Sequence, residues 1–215
     1  MDAIGEKLDH PEDDVRDHVD APTAAGYLEE RNGSLALAVD VGVEREYDLE
    51  DVTYVIRPAR NEDFEGVVDT TRAVTDKRIY AVGERLAEEL RYDNTVTRYD
   101  SVWSRVFFVA TVDEYVVGWS HLDLPQVEKL RHTAQLTVGV REDYRGYGIG
   151  KRLLQRALDW AETSGYRKVY NSVAETNVNA IAFLESQGWE TEAVRDGHYT
   201  IGDKRVDEVM LACTF

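Results

Sequence analysis

Residues 143–152 read DYRGYGIGKR, with glycine at every second position (Gly146, Gly148, Gly150) between Arg145 and the pair Lys151-Arg152. Ahead lies HTAQLTVGV (132–140), a β-rich run. Behind lies GKRLLQRALDWAETSGY (150–166), whose apolar residues recur at helical spacing up to a stop at Gly165. The order is strand, glycine turn, helix beginning near Gly148 or Gly150. Such a turn lets bare backbone N–H groups approach an anion, and the helix N-terminus adds unsatisfied donors and the positive end of its dipole. A basic flank in an otherwise acidic chain favours an anion cradle over a merely flexible turn.

Two familiar phosphate motifs do not fit. A P-loop, GxxxxGK[ST], requires glycine at 145 and Ser or Thr at 152, where this chain has Arg145 and Arg152. A dinucleotide fingerprint requires GxGxxG and an acid about twenty residues on. The glycines here run GxGxG, and the following strand reads RKVYNSV (167–173). A pyrophosphate remains compatible with the turn, with Arg145 and Lys151 reinforcing the field.

The stretch LTVGVREDYRGYGIGKRLL (136–154) resembles the acetyl-CoA-binding signature of the GNAT superfamily of N-acetyltransferases, [RQ]-x-x-G-x-[GA]. Arg145, Gly148 and Gly150 fill its three defined places. The second half of the family pattern, N-x-x-A-I-x-x-Y-E-x-x-G-[FW], is matched by NVNAIAFLESQGW (177–189) at Asn177, Ala180, Ile181, Glu185, Gly188 and Trp189. The resemblance covers about residues 53–215. It implies the GNAT fold: a mixed, mostly antiparallel α/β (α+β) sheet flanked by helices, with a V-shaped splay between its fourth and fifth strands.

The resemblance also implies a site. Backbone groups of Val138, Gly139 and Val140 should meet the pantetheine arm of acetyl-CoA, and Arg145, Gly146, Tyr147, Gly148, Ile149, Gly150 and Lys151 should hold the pyrophosphate. Asn177 resembles the family residue that contacts the arm, with Asn171 a second candidate; Asn177 also suits an N-cap. The implied chemistry is direct attack of an amine on the thioester, with the Val140 N–H as oxyanion donor. An alkylammonium is neutral in only about one molecule per two to three thousand at pH 7, so desolvation or a base must supply about 4.6 kcal/mol.

The chain departs from the pattern where the acid and base are sought. The position of the family tyrosine acid is Leu184, and the fourth-strand position of the glutamate base offers Ala134 and Gln135. His121 in GWSHLDL is a candidate base from a strand expected to border the cleft, set against a structural histidine. Tyr144, Tyr147 and Tyr199 are candidate acids, set against packing roles. Glu142 and Asp123 read as solvated charges, and Trp103, Trp119, Trp160 and Trp189 as core residues.

The remaining elements follow from patterning. TYVIRPA (53–59) reads as a strand, and NEDFEGVVDTTRAV (61–74) as a helix with an asparagine cap. A second helix is expected across 79–91. RVFFVATV and YVVGWSHLDL form a hairpin around Asp113-Glu114, and RVDEVMLACTF (205–215) a closing strand. Residues 1–52 read as an acidic extension to a domain over 53–215. Within it LALAVDVGV (35–43) is a strand whose partner is sought in VEREYDLEDVTYVIRP, and the extension is expected to pack on the sheet or form part of a subunit contact, as in a homodimer.

The 215 residues carry a formal net charge of −17, with six lysines among 25 basic residues. That pattern suits the cytoplasm of a halophile, where a short Debye length lets an acidic surface be tolerated. It disfavours nucleic acid and anionic membrane as partners, and no apolar run is long enough to span a bilayer. One cysteine, Cys213, excludes an intramolecular disulfide and a multi-thiolate zinc cluster, and no metal is expected. The acceptor is expected to be a small amine, a peptide N-terminus or a protein lysine, read by loops around 76–101 and 121–133. A catalytically silent CoA-binding module and a nucleotide-binding regulator are the competing readings.

Overall fold

The computed structural model describes residues 28–31, 34–37, 43–49, 52–75, 81–93, 95–98 and 103–215. Strands β1 (Leu28–Arg31) and β2 (Ser34–Leu37) form a separate hairpin. The main sheet comprises β3 (Arg45–Leu49), β4 (Val52–Pro58), β5 (Trp103–Val112), β6 (Tyr115–Pro125), β7 (Thr133–Val140), β8 (Lys168–Ala174), β9 (Glu190–Ile201) and β10 (Lys204–Thr214). Its spatial order is β3-β4-β5-β6-β7-β8-β10-β9, antiparallel throughout except for β7 against β8.

Among the described residues four helices cover the sheet: α1 (Phe64–Thr75), α2 (Ala81–Asp93), α3 (Ile149–Thr163) and α4 (Val178–Ser186). The strands bury side chains on both faces, which is why β5 and β6 read as nearly continuous apolar runs. On one face Val67, Val68, Leu86 and Leu90 of α1 and α2 pack against Phe107, Val109 and Trp119. On the other, Ile149, Leu153, Ala157 and Leu184 of α3 and α4 pack against Phe108, Leu122, Leu136 and Val169. Each of the Val, Leu, Ile and Phe side chains among them contributes about 1.5–3 kcal/mol by leaving water.

The hairpin at Asp113-Glu114 is present, with both residues at positive φ (47° and 67°), as a tight two-residue turn between right-twisted strands requires. Three local expectations are corrected. The α1 region begins with a 3₁₀ turn over Asn61–Asp63, and Asn61 is not its cap. The Asp63 carboxylate instead accepts the Arg60 N–H (2.7 Å) and a bidentate pair from buried Arg57 (2.6 and 2.8 Å). β2 pairs with β1 rather than with β3 or β4, which pair with each other; residues 38–42 of the expected strand lie outside the described residues. β9 was not anticipated, because ETEAVRDGHYTI is an edge strand exposed along most of its length and lacks apolar alternation. The acidic arm at 1–20 and the start of the helix expected at 79 lie outside the described residues.

Residues before β4 are tied to α3. Tyr47 stacks on buried Tyr54 (5.3 Å between centroids), the Arg152 guanidinium lies 4.1 Å over the Tyr47 ring, and Arg156 donates to the Val43 carbonyl (3.1 Å). Arg152, next to the glycine turn in sequence, is thereby turned towards the start of the sheet.

Candidate functional site

β7 and β8 pair in parallel at only three positions, Thr133 with Lys168, Ala134 with Val169 and Gln135 with Tyr170. Beyond Gln135 the strands part, and the gap opens into a cavity of about 480 Å³. Its walls are Thr137–Val140 of β7, Asn171–Ala174 of β8, the glycine turn, Asn177, Ala180, Phe183 and Leu184, with Val74, Thr75, Trp119 and Tyr199 closing one side.

The backbone of β7 alternates between its neighbour and the gap. Arg141 N–H bonds the Val117 carbonyl (2.9 Å) across the Gly118–Val140 pair, so Val140 belongs to a non-hydrogen-bonded pair and directs its own N–H and C=O away from β6. Val138 shares that orientation. Gly139, between them, is turned towards Trp119 on β6, which corrects the expectation that three consecutive residues offer their backbones to the gap. Gly139 is needed for another reason: a Cβ there would lie 3.0–3.1 Å from the Trp119 ring.

At the open end of the gap, a 3₁₀ turn over Glu142–Tyr144 leads through Arg145 to the glycines. Gly146 (φ 89°) and Gly148 (φ 75°) adopt left-handed backbone with nothing within 4 Å of an added Cβ. Gly148 is the N-cap of α3, and the first i→i−4 bond is made by Arg152 N–H to the Gly148 carbonyl (3.1 Å). The amides of Ile149, Gly150 and Lys151 therefore precede the helical ladder and are offered to a ligand. Arg145 does not point freely outward: its Nε donates to the Val140 carbonyl (3.0 Å), pinning the turn to the end of β7.

Tyr144, Arg145, Gly146, Gly148, Ile149, Gly150, Lys151, Val138, Gly139, Val140, Asn171 and Asn177 thus share one cavity. Tyr147 is not in the wall and packs against the core. Asn177 caps α4, its side-chain oxygen accepting the Ala180 N–H (3.3 Å), which leaves its amide N–H₂ for a ligand. Leu184 is in the wall and 1% exposed, so the position lost to leucine is filled by core packing.

His121 does not line the cavity. It is 1% exposed, its ring tilted against Phe107 (4.7 Å between centroids), with Nε2 3.2 Å from Asp123 Oδ1, because β6 is a central strand covered by α1 and α2. The reading of His121 as a base at the cleft is corrected accordingly; the wall residue of that row is its cross-strand partner Thr137. Asp123 is not a solvated charge either. It is 3% exposed and accepts from Trp103 Nε1 (3.0 Å), with Arg85 Nη2 at 3.5 Å. Burial opposes its ionisation, but His121, Trp103 and Arg85 outweigh that and hold the carboxyl at about 2. Trp103 sits at the sheet edge rather than in the core, whereas Trp119, Trp160 and Trp189 are buried.

Several wall groups were not singled out from the sequence for what they do here. Thr137 Oγ1 and Trp119 Nε1 are buried without a hydrogen-bond partner among the described residues. Tyr199 donates its hydroxyl to Glu208 on β10 (2.7 Å), and Glu208 is 2% exposed. Glu208 alternates with Val206 and Met210 along β10. A charged residue on an otherwise apolar strand face was the available signal. Among the described residues no group of three or more His, Cys, Asp and Glu side chains is placed to hold a metal, and no helix is long and apolar enough to cross a membrane.

Similarity to known proteins agrees with this geometry. A 28% identical match over 161 residues links 70% of the chain to 88% of an N-alpha-acetyltransferase of Sulfurisphaera tokodaii. The [Ribosomal protein bS18]-alanine N-acetyltransferase of Escherichia coli (strain K12) is 32% identical over 75 residues, 35% of this chain, and the chain spans about half (51%) of that relative's length. A GCN5-related N-acetyltransferase from Kribbella flavida superposes on 75% of the chain and 98% of its own with a TM-score of 0.64 at 23% identity, a likeness of fold. The profile of the Acetyltransferase (GNAT) family matches residues 73–189, more than half of the chain and every residue of the cavity wall except Tyr199, and the chain belongs to that family.

Proposed function

We propose that this chain is an N-acyltransferase that transfers the acetyl group of acetyl-CoA to a primary amine by direct attack. The observation that carries the reading is the continuity of one cavity, from the glycine turn at the N-terminus of α3 to the unpaired edge of β7. The residues present fit the cosubstrate in two independent ways. Left-handed glycines with open space above them allow phosphate oxygens close to the amides of residues 149–151, and the outward N–H and C=O of Val138 and the N–H of Val140 suit an extended chain bearing amide groups.

When bound, acetyl-CoA supplies the activated thioester. The N–H of Val140, directed away from β6, is assigned as the oxyanion donor, and Asn177 retains an amide donor for the arm. Trp119, Val74 and Phe183 give the cavity an apolar lining. With Leu184 in place of a tyrosine the departing thiolate is left without that proton donor, a loss tolerable because a thiolate can leave unprotonated. The names of the relatives favour an amino-terminal residue among the acceptors, with small amines and protein lysine as the other classes. The acidic composition suits a cationic acceptor and a salt-rich cytoplasm.

The test is thiol release from acetyl-CoA in high salt against a panel of small amines, amino-terminal peptides and lysine peptides. Release with at least one class is expected. CoA binding without release for any amine would return the protein to the reading of a silent CoA-binding module. Displacement of CoA by ATP or NAD would favour a nucleotide-binding regulator.

A further inference from the structure

Tyr199 and Glu208 form a hydrogen-bonded pair at the cavity wall opposite β7. The Tyr199 hydroxyl donates to Glu208 Oε1 (2.7 Å), and the other carboxylate oxygen, Oε2, contacts Arg195 Nε, with His198 Nε2 3.9 Å away. Glu208 is 2% exposed, while Arg195 and His198 are partly in solvent. The β9–β10 register is interrupted between Val206 and Glu208, so that Arg195 rather than Gly197 stands opposite Glu208, and Tyr199, four residues on, shares its face.

A phenol has one proton and two lone pairs. Here the proton is committed to a buried carboxylate whose other oxygen contacts Arg195. What the hydroxyl has left for a ligand is acceptor capacity. Burial, and then the bond to Glu208, push the Tyr199 hydroxyl well above the ordinary tyrosine range, so it stays protonated and the direction of the bond is fixed.

We propose that Tyr199 reads the acceptor substrate as a hydrogen-bond acceptor, its polarity set by Glu208 and Arg195, so that this end of the cavity selects an N–H-bearing, cationic amine and rejects a carbonyl or carboxylate. This rests on the acetyltransferase reading of the cavity. Tyr199 touches the substrate; Glu208 and Arg195 act through it as positioning residues. A tyrosine that donated to a peptide carbonyl would need a free proton, which this one lacks.

The pair can be inverted. In Glu208→Gln, Arg195 attracts the amide oxygen, the amide nitrogen turns to Tyr199 as a donor, and the tyrosine proton is forced towards the cavity. Tyr199→Phe removes the group altogether. The measurement is calorimetric binding of primary amines to the full chain saturated with CoA, together with amine KM where turnover occurs and CoA affinity as the control for fold. The expected result is weaker amine binding by tenfold or more in Tyr199→Phe and by a larger factor in Glu208→Gln, partial recovery in Glu208→Asp, and unchanged CoA affinity in all three. Wild-type amine affinity in Glu208→Gln, or no amine bound by the wild-type CoA complex, overturns the proposal. Amine binding that depends on Glu208 but never leads to thiol release leaves the pair as the amine reader and overturns the enzymatic reading instead.

Discussion

Gln135 and Tyr170 are the last partners across β7 and β8; two residues further along the same face, Thr137 and Ser172 stand on opposite walls of the cavity. Divergence after Gln135 leaves Thr137 with a buried hydroxyl that has no partner among the described residues. A buried unsatisfied hydroxyl costs about 1–3 kcal/mol, and an isosteric apolar replacement removes that cost. Thr137→Val is therefore expected to leave the ligand-free melting temperature unchanged or raised, and to shrink the stabilisation gained on adding acetyl-CoA and amine. Thermal scans with and without ligand check both, and a lowered ligand-free melting temperature would show that the hydroxyl is satisfied.

Gly148 separates binding from stability. Its φ of 75° strains any L side chain by about 1–2 kcal/mol, yet a Cβ there meets nothing within 4 Å. In Gly148→Val the branched side chain occupies the approach to the amides of residues 149–151. The expected outcome is a loss of CoA affinity of at least about tenfold, 1.4 kcal/mol or more, set beside a modest fall in unfolding free energy. Unchanged CoA affinity would remove the cradle.

The glycine turn and the α4 motif were legible because their chemistry is local. Backbone approach to phosphate demands glycine at fixed offsets, and Asn177 must start a helix to serve as its cap. Strands β4 to β8 were legible from apolar runs, most plainly β5 and β6, which are buried on both faces. β9 was not, because an exposed edge strand needs no apolar pattern. His121 and Asp123 were misplaced for a related reason: in GWSHLDL only tertiary cover by α1 and α2 turns two polar residues into an inward-facing pair. The opposite orientations of Gly139 and its neighbours depend on cross-strand register, which no spacing within one strand reveals.

Asp123 makes stability depend on acid. Its carboxyl is held at about 2 in the fold, against an ordinary value of 3.8. A depressed carboxylate contributes stability that is present above its unfolded pKa and is lost as pH falls through the folded one, here about 2 kcal/mol between pH 5 and pH 2. The stability gap between wild type and Asp123→Asn, measured by denaturant titration, is expected to be full at pH 6 and to shrink towards pH 2. A gap independent of pH would mean that the carboxylate does not carry the interaction.

The charge of −17 makes a different prediction. Surface repulsion acts over a Debye length of about 30 Å at 0.01 M salt and about 3 Å at 1 M, whereas the bidentate Arg57–Asp63 pair is buried and screened much less. Melting temperature should therefore rise steadily with potassium chloride into the molar range, with reversible unfolding in dilute buffer. A flat salt profile would count against the halophilic reading.

Gly139 tests the packing behind the cleft. Its missing Cβ is replaced by the Trp119 ring, whose Nε1 would lie 3.3 Å from an added methyl and whose ring carbons would lie closer still. Trp119 is 1% exposed, so it has little room to retreat. Gly139→Ala is expected to cost about 1–3 kcal/mol from overpacking and to shift the tryptophan fluorescence. Because Trp119 also lines the cavity, acetyl-CoA binding should weaken with it, whereas a purely structural glycine would lose stability alone. Titrating CoA into the folded variant under conditions where both proteins are fully native separates the two outcomes.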